Sequence, residues 1–191
     1  TTLKSVMGII GKRTGSIRFN DQDITRASSD RIARMGVAFC PEERGIFASL
    51  SAEENLLLPP VVAPSGRGMP LEKIYSLFPN LEGRRNAQGT RLSGGEQQML
   101  AIARILRAGA NLLLLDEISE GLAPVIVQAL ARTIRALREE GMTIVMVEQN
   151  FHFAAPISDR FYVMEHGRVA DAFASHELAA KAPALRALLG I

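Results

Sequence analysis

Tryptophan is absent from the 191 residues, and aromatic residues make up only 5% of them. A platform for stacking the bases of single-stranded nucleic acid needs such rings, so no nucleic-acid partner is expected. Charge of one sign is also scarce: 22 basic against 20 acidic side chains leave a net +2, far from the footprint that binds polyanions. The pairs Lys12-Arg13 and Arg84-Arg85 read as solvated loop residues. Cys40 is the single cysteine, so an internal disulfide is impossible and a reducing compartment fits. The most apolar stretch, Leu112–Leu115, falls far short of the roughly 18 residues that cross a membrane. Any membrane role is therefore expected to run through partner subunits, with this chain at the cytoplasmic face. His152, His166 and His176 share no metal-ligand spacing.

What is present is enough apolar residue, 47%, to bury one core in a chain of single-domain length. Ser16–Asn20 alternates and reads as a half-buried strand entering a turn. Gly36–Cys40 reads as a buried strand stopped by Pro41, and the Pro/Gly-rich stretch from Pro59 to Pro70 as a loop between helical pieces. From Ser93, the positions Met99, Leu100, Ile102, Ala103, Ile105 and Leu106 recur at helical spacing, with Gly109 placed to end the helix. Asn111–Leu115 and Met142–Val147 are largely apolar runs separated by a helix over Pro124–Arg138. Such runs without alternation indicate parallel strands covered on both faces. Phe161–Glu165 and Arg168–Ala172 read as a closing hairpin, and Met142, Met146 and Met164 as strand packing. In open parallel sheets ligands bind beyond the carboxyl ends of the strands. The polar residues ending the two runs, Asp116-Glu117 and Glu148-Gln149-Asn150, are therefore candidate site residues.

Leu92-Ser93-Gly94-Gly95-Glu96-Gln97 is first of all a capping box, with Ser93 as cap and Glu96 returning the bond. That leaves two glycines in the first turn unexplained, each unfavourable by about 1 kcal/mol relative to alanine. Glycines at a helix start let an anion approach the free N–H groups, where the helix dipole favours it. Phosphate binding is the functional reading.

LSGGEQ, a helix, and then Leu-Leu-Leu-Leu-Asp-Glu together resemble the signature motif and Walker B strand of ABC ATPases, a specific pair. The resemblance implies that Asp116 holds Mg²⁺ and that Glu117 orients and deprotonates the attacking water. It places Glu42 at the Q-loop, Ser119-Glu120-Gly121-Leu122 at the D-loop facing an opposing subunit, and Gln149 where a switch histidine is usual. Ser93, Gly94, Gly95 and Glu96 would contact ATP held by the other subunit. Thr1-Thr2-Leu3-Lys4 resembles the helix after a GKTT loop, so Thr1 or Thr2 is a candidate Mg²⁺-binding hydroxyl, the register staying open. A loop of the type GxxGxGK[ST] is expected to precede Thr1, with the first strands and an adenine-stacking aromatic. Without them, the chain is expected to bind ATP poorly and to hydrolyse none.

Glu42 and Gln149 depart from the usual glutamine and histidine, and both departures are similar to ATPases of branched-chain amino acid importers. Pro41–Phe47 (PEERGIF), Val147–Asn150 (VEQN) and Asp116–Pro124 (DEISEGLAP) resemble that branch, as does the end, Ala187–Ile191. Glu42 can ligate Mg²⁺ as well as an amide does. Gln149 exchanges no proton near neutral pH, which leaves Glu117 as the base and Gln149 as a γ-phosphate sensor. The fold implied is an α/β P-loop NTPase: a three-layer core with a mostly parallel sheet, residues 1–191 forming one ABC ATPase domain and residues 45–106 an inserted helical subdomain. The implied partners are a second ABC ATPase subunit (homo- or heterodimer), transmembrane permease subunits gripped near Glu43–Leu58, and indirectly a periplasmic binding protein. Three rival readings are an importer ATPase for urea or amides, a soluble ABC ATPase, and an inactive docking subunit. Intact Ser93, Gly95, Asp116 and Glu117 oppose the last, and a missing lysine loop favours it.

Overall fold

Three strands form the parallel sheet that carries the strand ends of interest. The computed structural model describes residues 1–62 and 68–189; the middle of the Pro59–Pro70 loop, and Gly190 and Ile191 of the closing segment, lie outside the described residues. In chain order the elements are α1 (Thr2–Val6), β1 (Arg18–Phe19), β2 (Gln22–Asp23), α2 (Ser29–Arg34), β3 (Val37–Cys40), α3 (Ala52–Leu57), α4 (Leu71–Leu77), α5 (Pro79–Glu82), α6 (Gly94–Arg107), β4 (Leu112–Asp116), α7 (Pro124–Glu139), β5 (Thr143–Val147), α8 (Phe151–Ala154), β6 (Arg160–Glu165), β7 (Arg168–Ala174) and α9 (Leu178–Leu189). They fall into two compact units, Thr1–Gln149 and Asn150–Ile191.

In the first unit the sheet order is β3-β4-β5. Val37–Cys40 pair with Leu112–Leu115, and Leu112–Asp116 pair with Thr143–Val147, in parallel. A parallel pair needs a crossover of a dozen or more residues; α3 to α6 make the first and α7 the second. The middle strand keeps the expected coverage, with Leu113, Leu114 and Leu115 at most 2% exposed. β5 does not: Thr143, Val145 and Val147 are exposed, while Ile144 and Met146 are half-buried. Its apolar run alternates in space because strand side chains point to opposite faces and only one face of β5 is covered among the described residues. The strand expected at Ser16–Asn20 shrinks to Arg18–Phe19, since Asn20 and Asp21 take φ of 47° and 61°. A two-residue turn with positive φ at both positions suits a tight hairpin, and Phe19 pairs directly with Gln22.

The sheet is anchored beneath β4. Leu114 packs with Leu3 and Met7 near the start of the chain and with Ile24, Ile32 and Val37. On the helical side, α3, α4 and α5 pack against α6, whose Leu100, Ile102 and Ala103 are fully buried. The helix ends as its sequence signals, with Gly109 at φ 85°, the left-handed conformation that glycine adopts without penalty. Asn55 of α3 is fully buried and bonded all round. It accepts from the Phe47 N–H at 2.8 Å and donates to the carbonyls of Phe47, Leu50 and Ser51 at 2.9, 3.3 and 3.0 Å. Asn55→Ala is expected to lower the unfolding free energy by about 2–3 kcal/mol, because the freed Phe47–Ser51 loop groups stay buried without partners. A urea titration checks this; an unchanged midpoint would contradict it.

The second unit is the closing hairpin, β6 against β7, flanked by short helix α8 and by α9. Phe161 and Phe173 stack at 5.2 Å between ring centres, and Lys181 donates to Asp171 at 2.7 Å. His166 and Gly167 make the turn, at φ 46° and 75°. Met164 departs from its expected packing role and is 53% exposed. The register shifts between Val163 and Met164, and such a bulge re-aims the side chains beyond it.

Candidate active site

The parallel register lines up the carboxyl ends of β3, β4 and β5 on one edge of the sheet, each continuing into polar residues: Pro41-Glu42, Glu117, and Glu148-Gln149. Asp116 is the last residue of β4 and pairs with Val147. Glu117 follows at φ 49°, a left-handed conformation that costs a side-chain-bearing residue on the order of 1 kcal/mol. Its N–H donates to the Val147 carbonyl at 2.9 Å, continuing the ladder one residue past the strand. The Gln149 side-chain amide donates to both Glu117 carboxylate oxygens, at 3.2 and 3.3 Å. Asp116, Glu117 and Gln149, three predicted site residues, thus meet where two strands end.

Ser119, also predicted, is buried and held by Glu148. The Ser119 N–H donates to one Glu148 oxygen at 3.0 Å and its hydroxyl to the other at 2.8 Å. Burial pushes the Glu148 carboxyl above its ordinary pKa, against the Ser119 bonds that draw it down. Glu120 is exposed, and its pKa is raised by the charge of Glu117 first and Glu42 next. Glu42 and Glu117 therefore share one electrostatic neighbourhood. Among the described residues, no group of His, Cys, Asp and Glu side chains forms a protein-only metal cage. Mg²⁺ in nucleotide hydrolases uses one or two carboxylates plus substrate phosphates. The oxygen-only set of Asp116 and Glu42, beside like charges that a cation would relieve, fits that use.

Cys40 ends β3, 1% exposed, with the Gln98 amide donating to its sulfur at 3.7 Å. Burial pushes its thiol up to about 12, so it is a packing residue. Native protein at pH 8 is expected to react with iodoacetamide at least ~100-fold more slowly than protein unfolded in urea, since the thiolate is the nucleophile. Equal rates would contradict the burial.

Ser93, Gly94, Gly95 and Glu96 occupy a second location, the start of α6. The capping box is complete: the Glu96 N–H donates to the Ser93 hydroxyl at 3.3 Å and the Ser93 N–H to Glu96 at 2.7 Å. Both glycines have a packing reason as well. A Cβ on Gly95 would lie 2.9 Å from Ile126 of α7, and one on Gly94 would lie 3.3 Å from the Arg44 guanidinium. Arg44 also donates to Gln97 at 3.0 Å, tying the loop that bears Glu42 to the first turn of α6. Thr1 lies exposed at the start of α1, and Leu3 fixes that helix beneath β4. Sequence reasoning placed Glu148 among the strand-end candidates and Glu120 in the D-loop but gave neither a partner, and it assigned no role to Arg44.

Comparison with known proteins supplies the family. A family model described as ABC transporter matches residues 1–120. The chain belongs to the ABC transporter family. It is 41% identical over 170 residues to the high-affinity branched-chain amino acid transport ATP-binding protein BraG of Pseudomonas aeruginosa, covering 88% of this chain and 73% of that protein. It is 32% identical over 183 residues to the lipopolysaccharide export system ATP-binding protein LptB of Acidithiobacillus ferridurans, covering 93% and 75%. A dimeric post-hydrolysis structure of the ATP-binding cassette MJ0796, bound to ADP and Pi, superposes with a TM-score of 0.78 at 21% identity, covering 91% of this chain and 79% of that one. The fold is therefore the α/β P-loop ATPase of ABC cassettes. The chain is an ABC ATPase subunit, an ATP-binding and ATP-hydrolysing class, and it resembles the branched-chain amino acid branch. No helix among the described residues is long and apolar enough to cross a membrane.

Proposed function

We propose that this ATPase subunit powers an importer for branched-chain amino acids, with Glu117 as the general base of ATP hydrolysis. The observation that carries the chemistry is the Gln149 amide bonded to both Glu117 oxygens. It orients the carboxylate at the strand end without removing its charge, and leaves it able to take a proton from water. A positioned base contributes about 10²–10⁴-fold in rate. Gln149 has no proton to exchange in this range, so it orients Glu117 and senses the γ-phosphate through the same amide. Asp116 and Glu42 would hold Mg²⁺, with Thr1 or Thr2 supplying a hydroxyl; when bound, the ion neutralises charge on the transferring phosphate. Ser93, Gly94, Gly95 and Glu96 would meet ATP bound to a second ATPase subunit, with Ser119 beside that interface.

Residues 45–106 would act as the helical subdomain of the ATPase domain, and Glu43–Leu58 as its grip on membrane-spanning permease subunits at the cytoplasmic face. Exposed Phe47, Leu57 and Leu58, at 46%, 54% and 52%, support the placing of that contact. A periplasmic binding protein would deliver the substrate to the permease. The importer reading rests on higher identity to BraG than to LptB. Deleting the gene is expected to abolish most ATP-dependent uptake of labelled leucine, isoleucine and valine. Unchanged amino acid uptake with lost lipopolysaccharide export would overturn the importer reading in favour of the exporter branch. Unchanged leucine uptake with lost uptake of urea or short amides would move the assignment within the importers.

A further inference from the structure

The turn after β4 is fastened to the end of β5 by two neighbouring side chains that bond to different residues of the turn. Gln149 reaches Glu117, and its neighbour Glu148 reaches Ser119, two residues further along the turn. Between them the chain passes through the left-handed Glu117 and the fully buried Ile118. A residue held in a costly backbone conformation stays there only when its surroundings over-determine it. The backbone bond from Glu117 to Val147 fixes one side of the turn. On the other side stand the Ile118 side chain and the two Glu148 bonds. Ser119 is 4% exposed, so neither its N–H nor its hydroxyl can turn readily to water if Glu148 is removed.

We propose that Glu148 is a positioning residue for ATP hydrolysis: by accepting both the N–H and the hydroxyl of Ser119, it holds the turn that presents Glu117 to the γ-phosphate. The role is steric and hydrogen-bonding, not acid–base. Glu148 is occupied by Ser119 on both oxygens. A glutamine at the same position can preserve the pair, since its carbonyl accepts the Ser119 N–H and its amide donates to the Ser119 hydroxyl oxygen. An alanine preserves neither. The proposal rests on the reading of Glu117 as base.

The test is steady-state ATP hydrolysis by the full-length subunit assembled with its membrane partners. Glu148→Ala is expected to lower kcat about 10- to 100-fold, because the turn that presents Glu117 is no longer held on that side. KM and the dissociation constant for ATP should stay within about twofold, because the interaction lost serves the transition state. Glu148→Gln is expected to restore kcat to within about fivefold of the parent. Ser119→Ala, which loses one bond of the two, should fall between, and adding it to Glu148→Ala should cost little more, as neighbours sharing one interaction do. If Glu148→Ala keeps kcat, or if Glu148→Gln is as inactive as Glu148→Ala, the positioning role is wrong. Should Glu148→Ala fail to fold, Ser119→Ala decides alone, and an unchanged kcat there overturns the proposal. Glu117→Gln is run alongside: if it hydrolyses ATP normally, the base assignment fails, and with it the premise, whereas an inactive Glu117→Gln with a fully active Glu148→Ala refutes only the positioning role.

Discussion

Glu117→Gln is expected to reduce ATP hydrolysis by about 10²–10⁴-fold while leaving ATP binding within about twofold. The magnitude is that of a lost general base, roughly 3–5 kcal/mol of barrier. The substitution keeps the side-chain shape and the backbone bond from residue 117 to Val147, so the turn should survive. It replaces one of the two oxygens that accept from Gln149 by an amide with no basic lone pair. Phosphate release by the full-length subunit with its membrane partners is the measurement. Activity above about a third of the parent, against the expected 10²-fold loss, would mean that another group takes the proton. Glu120, three residues along the same turn, would be the first to examine.

The largest loss of stability is expected at Leu114→Ala, about 3 kcal/mol within the range for leucine truncation in a core. Leu114 is 2% exposed and packs among Leu3, Met7, Ile24, Ile32 and Val37. Those residues come from α1, the β2 end, α2 and β3, so collapse around the missing methyls would need several elements to move at once. Leu114→Met, which conserves volume, is expected to cost less than about 1.5 kcal/mol. Chemical denaturation separates the two. Equal midpoints for both variants and the parent would show that β4 is not the anchor of this core.

Much of the fold was legible in particular strings. The apolar run Leu112–Leu115 ending in Asp116 became the central strand, and the Ser93-to-Glu96 capping box opened α6 as its residue types require. Family membership, too, followed from local motifs, because LSGGEQ at a helix start and Leu-Leu-Leu-Leu-Asp-Glu at a strand end are contiguous strings that can be read without knowing what packs against them. Other features were not legible. The exposed face of β5 hid inside a run of valine, isoleucine and methionine that reads as buried, since periodicity cannot show which neighbours cover a strand. Met164 looked like strand packing until the bulge before it turned it outward. The glycines of the signature turn were explained from sequence by phosphate approach alone. Their contacts with Ile126 and Arg44 belong to residues 31 and 50 positions away along the chain, beyond any local pattern.

The sequence by itself determined the identities and order of the acidic and amide groups: Glu42 after one strand, Asp116 and Glu117 after the next, Gln149 after the third. Together with the LSGGEQ string, whose resemblance to the ABC ATPase signature carries the inference, they imply the reaction class. Only the tertiary structure decided that Gln149 grips Glu117, that Glu148 holds Ser119, and that Arg44 ties the Glu42 loop to the start of α6. Each of these joins residues 29 to 53 positions apart. Such pairs meet only because parallel pairing and the packing of α6 bring distant segments together, and no local preference of either partner encodes the meeting.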